Sequence, residues 1–141
     1  MSFKIIITNN SIDNLSDIGS HLDTISNFIE KTFFKMHLKD MFDEKYNKEN
    51  EERTEEFSKY DFPENISKNY ICPISHDVFY NPVTTSDGQT YEKMEILRWF
   101  LEGNETSPLT GKKLENLEIV PNIILKNIIS DWKKQYLKLN T

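Results

Sequence analysis

Two corners in this chain, Cys72-Pro73-Ile74-Ser75 and Ser107-Pro108-Leu109-Thr110, follow one spacing yet share a single sulfur. Each is laid out as a C-x-x-C loop, the unit that presents a pair of thiolates to a metal. Here hydroxyls stand at Ser75, Ser107 and Thr110 instead. Between the corners, Asp87-Gly88-Gln89-Thr90-Tyr91-Glu92 offers carboxylates and an amide where further soft ligands would fall. A tetrahedral zinc site needs thiolates or imidazoles converging on one point, and one cysteine cannot supply it. The loops must then be held by hydrogen bonds. Cys72, Ser75, Asp87, Gln89, Glu92, Ser107 and Thr110 are the candidate members of that polar network. The same oxygens, with Glu95, could in principle suit a hard metal, but no metal and no cofactor are expected.

The bulk of the chain narrows the function further. At 141 residues it is one domain with an appendage, or two very small units. A single Cys excludes a disulfide framework and points to a reducing compartment, so a cytoplasmic location is expected. The abundance of Asn, Lys and Ile fits an AT-rich genome. The cytosol of a host cell, reached by a delivered effector, is therefore one form that location can take. Phe3 to Ile7 is too short for a signal peptide, and no stretch approaches the roughly 18 apolar residues of a membrane span. The net charge of −6 is concentrated in residues 41–64, which carry 9 acidic against 4 basic groups, whereas residues 65–141 carry 9 of each. Neither part offers the basic footprint that a phosphate backbone requires, so nucleic acid is not an expected partner.

Hydrophobic spacing divides the chain into an arm and a domain. Leu15, Ile18, Leu22, Ile25, Ile29, Phe33 and Met36 recur at steps of three and four, placing one apolar stripe on a helix capped by Ser11 or Asp13. Such a stripe must be buried somewhere: against the domain, on another copy through residues 12–36, or on a substrate. Asp43 to Lys59 is charged throughout and reads as a solvated helix or a partly disordered segment. Its acidic run from Glu49 to Glu56 is expected to be a solvated face. Pro63 marks the boundary between an arm, residues 1–64, and a domain, residues 65–141. In the domain, Pro82 to Tyr91 reads as a hairpin turning on Asp87-Gly88. A helix follows from Glu92 to Glu102 and stops at Gly103. Pro121 is expected to open a last helix, with Leu125, Ile128, Ile129, Trp132 and Tyr136 as its buried stripe. The fold class is α+β: a short hairpin, a central helix, two corner loops and a C-terminal helix, preceded by an α-helical arm.

Seven separated signals now stand in register: Ile71-Cys72-Pro73-Ile74, Asn81-Pro82-Val83, Asp87 to Tyr91, Trp99, Ser107 to Thr110, Pro121-Asn122 and Trp132. Together they resemble the U-box, a zinc-free relative of the RING domain, over about residues 66–138. The resemblance implies a ubiquitin ligase. Such a protein docks a ubiquitin-conjugating enzyme that carries ubiquitin as a thioester and promotes its transfer to a lysine of a protein substrate. No covalent intermediate forms on the ligase, so no catalytic residue in that sense is expected; proximity and orientation supply the rate. By the same resemblance the conjugating enzyme is bound by Ile74 and His76 of the first corner, Trp99 of the central helix and Pro108 of the second corner. The family commonly places an arginine immediately after the second corner, hydrogen-bonded to both ubiquitin and the conjugating enzyme. Gly111 stands there, and Lys112 follows as the candidate ubiquitin-positioning residue, although lysine lacks the planar fork of arginine. The alternative implied by Gly111 is a non-catalytic adaptor that engages a conjugating enzyme or a partner helix. Cys72 has no convincing histidine partner in the sequence, so a buried structural thiol is expected rather than a nucleophile.

Overall fold

The computed structural model describes residues 16–139, with side chains from Ile29 onward except those of Lys31, Phe34 and Lys35. The chain forms two compact units, Met1–Lys45 and Tyr46–Thr141. Helix α1, Ser16–Phe57, runs through the first unit and into the second. It contains no proline, and its Lys- and Glu-rich turns favour helix, so the expected striped and charged segments are one continuous element. In the first unit Ile29, Phe33 and Met36 lie exposed on α1, as do Leu38 and Met41. Leu15 and the caps Ser11 and Asp13 lie outside the described residues, as do the side chains of Ile18, Leu22 and Ile25.

The second unit is built on a three-stranded antiparallel sheet, β1 (Pro82–Thr84), β2 (Thr90–Glu92) and β3 (Val120–Pro121), in the order β2-β1-β3. Val83 sits at the centre, opposite Tyr91 on one side and Pro121 on the other. The β1–β2 connection turns at Gly88, whose φ of 83° is open to glycine at no steric cost. Helix α2, Lys93–Leu101, follows β2 directly, and Gly103 ends it at a φ of 95°. Helix α3, Ile123–Lys133, closes the unit. Cys72, Val78, Phe79, Val83, Tyr91, Ile96 and Ile129 form the buried core. The architecture is α+β.

Two expectations change. Pro121 does not open α3: it is the last residue of β3, and Asn122 caps the helix with its Oδ1 accepting from Leu125 N at 3.1 Å. A side-chain acceptor at the cap outweighs the tolerance of a proline at the first helical position. Leu125, Ile129 and Trp132 on α3, with Tyr136 on the 3-10 turn Lys134–Tyr136 that follows it, face inward at steps of four, three and four, which leaves Ile128 exposed on the flank. An aromatic seam joins the end of α1 to this stripe. Phe62 stacks on Trp132 at 5.4 Å and meets Phe57 edge-on at 5.6 Å. Backbone bonds Asp61 N to Tyr136 O (2.7 Å) and Lys138 N to Lys59 O (2.8 Å) fasten the same joint.

Candidate protein-docking surface

The two corners are the same backbone device built twice. In the first, Cys72 N donates to Asp77 O at 2.9 Å and His76 N donates back to Cys72 O at 2.8 Å. In the second, Ser107 N donates to Lys112 O at 2.8 Å and Gly111 N to Ser107 O at 2.9 Å. The leading side chain of each then accepts from amides inside its own loop. Cys72 Sγ takes Ile74 N at 3.4 Å, and Ser107 Oγ takes Leu109 N and Thr110 N at 3.2 Å each. The fifth residue of each corner is left-handed, His76 at a φ of 61° and Gly111 at 74°. These are the amides that a thiolate would otherwise accept from, satisfied here by one thiol and one hydroxyl.

Successive residues of β2 tie the corners together. Tyr91 OH shares a hydrogen bond with Ser107 Oγ at 3.1 Å, and Glu92 N donates to Cys72 Sγ at 3.3 Å. Tyr91, Ser107 and Cys72 are fully buried, and Glu92 is buried. Burial pushes the Tyr91 phenol above its ordinary range. It does the same to Glu92, although the amides of Asn81 and Tyr80 pull the other way. The Glu92 carboxylate accepts from Tyr80 N at 2.8 Å and from Asn81 N at 3.0 Å, so it holds the bend that leads into β1 rather than either corner. Asp87 lies in the hairpin turn, accepting from Thr85 Oγ1 at 2.6 Å and from Gln89 N at 3.4 Å. Ser75 and Thr110 are local: their hydroxyls accept from Asp77 N and Lys112 N. The expected polar set therefore separates into two corner clusters, a hairpin turn and a clamp on the bend before β1. Among the described residues, no three His, Cys, Asp or Glu side chains are placed to share a metal ion.

Of the candidate contact residues, Ile74 and Trp99 are half-buried against the core, Pro108 is half-buried, and His76 and Lys112 are exposed. Trp99 Nε1 donates to Thr106 O at 2.7 Å, so its indole is pinned to the base of the second corner. Leu109, at the tip of that corner, is 51% exposed and adds an apolar group that the spacing did not single out. Sequence reasoning also missed the last turns of α1. Tyr46 OH donates to Glu95 Oε1 at 2.7 Å, Glu49 Oε1 accepts from Asn81 Nδ2 at 2.7 Å, and Arg53 pairs with Asp77 at 3.1 Å. The signal was present as a 46, 49, 53, 57 period, but it is mostly polar, and an apolar count passes over it.

Comparison with known proteins decides the family. The U-box domain matches residues 66–138 of this chain. The chain belongs to the U-box family. Members of that family are ubiquitin ligases. Its relatives include U-box domain-containing protein 56 of Arabidopsis thaliana, 46% identical over 67 residues, which are 48% of this chain and 18% of that protein. U-box domain-containing protein 17 of the same plant is 48% identical over 67 residues, 48% of this chain and 9% of that protein. A probable bifunctional E2/E3 enzyme, R795, of Acanthamoeba polyphaga mimivirus is 49% identical over 65 residues, 46% of this chain and 5% of it. The U-box chain thus spans under a fifth of the length of each of these relatives. Among the described residues, no helix is long and apolar enough to cross a membrane.

Proposed function

We propose that the corners and α2 dock a ubiquitin-conjugating enzyme carrying ubiquitin as a thioester and promote transfer to a substrate lysine. The observation that carries this reading is the pair of like-built corners fastened to adjacent residues of one strand. That arrangement presets a patch comprising Ile74, His76, Trp99 and Pro108, to which Leu109 adds. A small group of apolar and aromatic anchors on a rigid frame is the composition that dominates interface energies. The protein's contribution is positional: a held thioester meets its acceptor without the entropy cost of a free encounter. Lys112 follows the second corner with an exposed side chain and supplies a cation toward ubiquitin. The exposed Ile29, Phe33 and Met36 support self-association or substrate capture through residues 12–36.

Truncating Ile74 to Ala should cost roughly 2 kcal/mol of docking, about a thirtyfold loss of affinity, while circular dichroism stays that of a folded protein. Ubiquitin chain formation in a reconstituted assay should fall with it. An Ile74→Ala protein that binds the conjugating enzyme as tightly as wild type refutes the docking assignment. One observation favours a second reading. Gly111 places no donor after the second corner, which suits an adaptor that binds a conjugating enzyme without accelerating transfer. Discharge of charged conjugating enzyme to free lysine separates the two, since an adaptor binds and leaves the rate unchanged.

A further inference from the structure

Within the second unit, the last turns of α1 from Tyr46 onward carry a polar face whose members recur at helical spacing. Tyr46 is bonded to Glu95, which also pairs with Arg98, and that guanidinium lies over the Tyr46 ring at 4.8 Å. Glu49 holds Asn81, and Arg53 Nη1 reaches Asp77 Oδ2 at 3.1 Å. A cavity of about 20 Å³, lined by Tyr46, Arg53, Ser75, Glu92 and Met94 among others, lies where this face meets the first corner. All of these α1 residues precede the stretch matched by the U-box domain.

Asp77 is the residue that closes the first corner. Its carbonyl accepts from Cys72 N at 2.9 Å, and its own amide donates to Ser75 Oγ at 3.4 Å. Immediately before it, His76 holds a left-handed backbone that is disfavoured for any residue with a Cβ. Such a conformation persists only where its surroundings over-determine it. The second corner meets the same demand with Gly111, which carries no such penalty, and among the described residues no ion pair braces that corner. The strained corner is the one that has the brace.

We propose that Arg53 is a positioning residue for the first corner: through Asp77 it fixes the loop that carries Ile74 and His76, so that affinity for the conjugating enzyme is set in part by α1. This rests on the docking reading above. The atoms of Asp77 that shape the corner belong to its backbone, and the atoms that Arg53 grips belong to its side chain. The brace can therefore be reversed in charge without removing a corner hydrogen bond.

The test uses full-length protein and calorimetric titration with one charged conjugating enzyme that the wild type binds. Arg53→Glu sets a carboxylate against Asp77 and should raise Kd about fivefold, the upper range for a partly exposed ion pair. The double variant Arg53→Glu/Asp77→Arg should restore it. Lys133→Ala removes the pair with Glu56 farther along the same helix and should leave Kd unchanged. The δ-methyl resonance of Ile74 should shift in Arg53→Gln and in Arg53→Glu, return in the double variant, and stay put in Lys133→Ala. An unmoved Kd in Arg53→Glu, a failure of the swap to restore it, or an equal loss in Lys133→Ala overturns the proposal. Should Arg53→Glu not fold, Arg53→Gln decides by the Ile74 resonance alone. Ile74→Ala in the same series keeps the two ideas apart. If it raises Kd and Arg53→Glu does not, only the brace is lost; if it does not, the docking reading falls and the brace with it.

Discussion

Replacing Gly111 with Arg tests whether the second corner lacks only a hydrogen-bond donor. Gly111 sits at a φ of 74°, and a Cβ built there meets nothing within 4 Å. The cost of any side chain is thus confined to the backbone, about 1 kcal/mol for an L-residue in the left-handed region. His76 occupies the equivalent place of the first corner at 61°, so this device accepts a side chain. For a unit of this size such a loss lowers Tm by roughly 4–8 °C. Gly111→Ala carries the same backbone cost without the guanidinium and serves as the reference. A charged hydrogen bond is worth about 1.5–3 kcal/mol, about a ten- to hundredfold gain if it is made only in the transfer step. The assays are thermal melts of the Gly, Ala and Arg proteins and lysine discharge from charged conjugating enzyme. Ala and Arg should melt together below wild type, and Arg alone should accelerate discharge. An Arg variant melting far below Ala would mean that the side chain meets something the geometry does not show. Equal discharge by Ala and Arg would mean that the absent donor is not what limits transfer.

Ser107→Ala should cost about 2–3 kcal/mol in denaturant unfolding, because a fully buried hydroxyl bonded to Leu109 N, Thr110 N and Tyr91 OH is lost; a change below about 1 kcal/mol would show that the second corner is held by other means. Glu92, raised by burial, binds its proton more tightly in the folded state than in the unfolded chain. Its contribution is greatest below the ordinary carboxylate value of 4.5 and is lost as pH rises through the raised one. Glu56, lowered by its bonds to Lys59 and Lys133, has the opposite sign, so the useful quantity is the difference between wild type and Glu92→Gln. That difference in Tm should move in favour of Glu92→Gln as pH increases from about 4 to about 7. A difference independent of pH would count against a perturbed Glu92. Phe33→Asp with Met36→Asp should convert any self-associated form to monomer in light scattering, leaving the Tm of the second unit unchanged; an unaltered mass would place self-association elsewhere.

What was legible in the sequence followed from strong local chemistry. Proline and hydroxyls at fixed offsets announced the corners, Asp87-Gly88 the hairpin, and Gly103 the end of α2, each because few residue types satisfy those backbones. The strand β3 was not legible, since two residues ending in a proline carry no alternation to read. The role of Glu92 was only half visible: its position suggested a substitute for a metal ligand, whereas its carboxylate holds the amides of Tyr80 and Asn81 and its backbone N–H serves the corner. The docking of α1 was invisible for a different reason. Glu49 and Arg53 read as part of an acidic, solvated run, because charge predicts exposure until a partner of fixed geometry is supplied by distant residues such as Asn81 and Asp77.

The attachment of one corner to Tyr91 and the other to Glu92 bears on how chains of this kind can vary in length. Neighbouring residues are 3.8 Å apart along the chain, so the step between the two anchors is a fixed ruler rather than an adjustable span. An insertion or deletion at that peptide would turn one anchor to the opposite face of the strand and release a corner outright. The connections at Asn104–Glu105 and at Glu115–Glu118 lie in exposed or half-exposed loop outside the strands and helices. Lengthening them costs little. Differences in length among relatives should therefore collect in those two connections and be absent between Thr90 and Lys93.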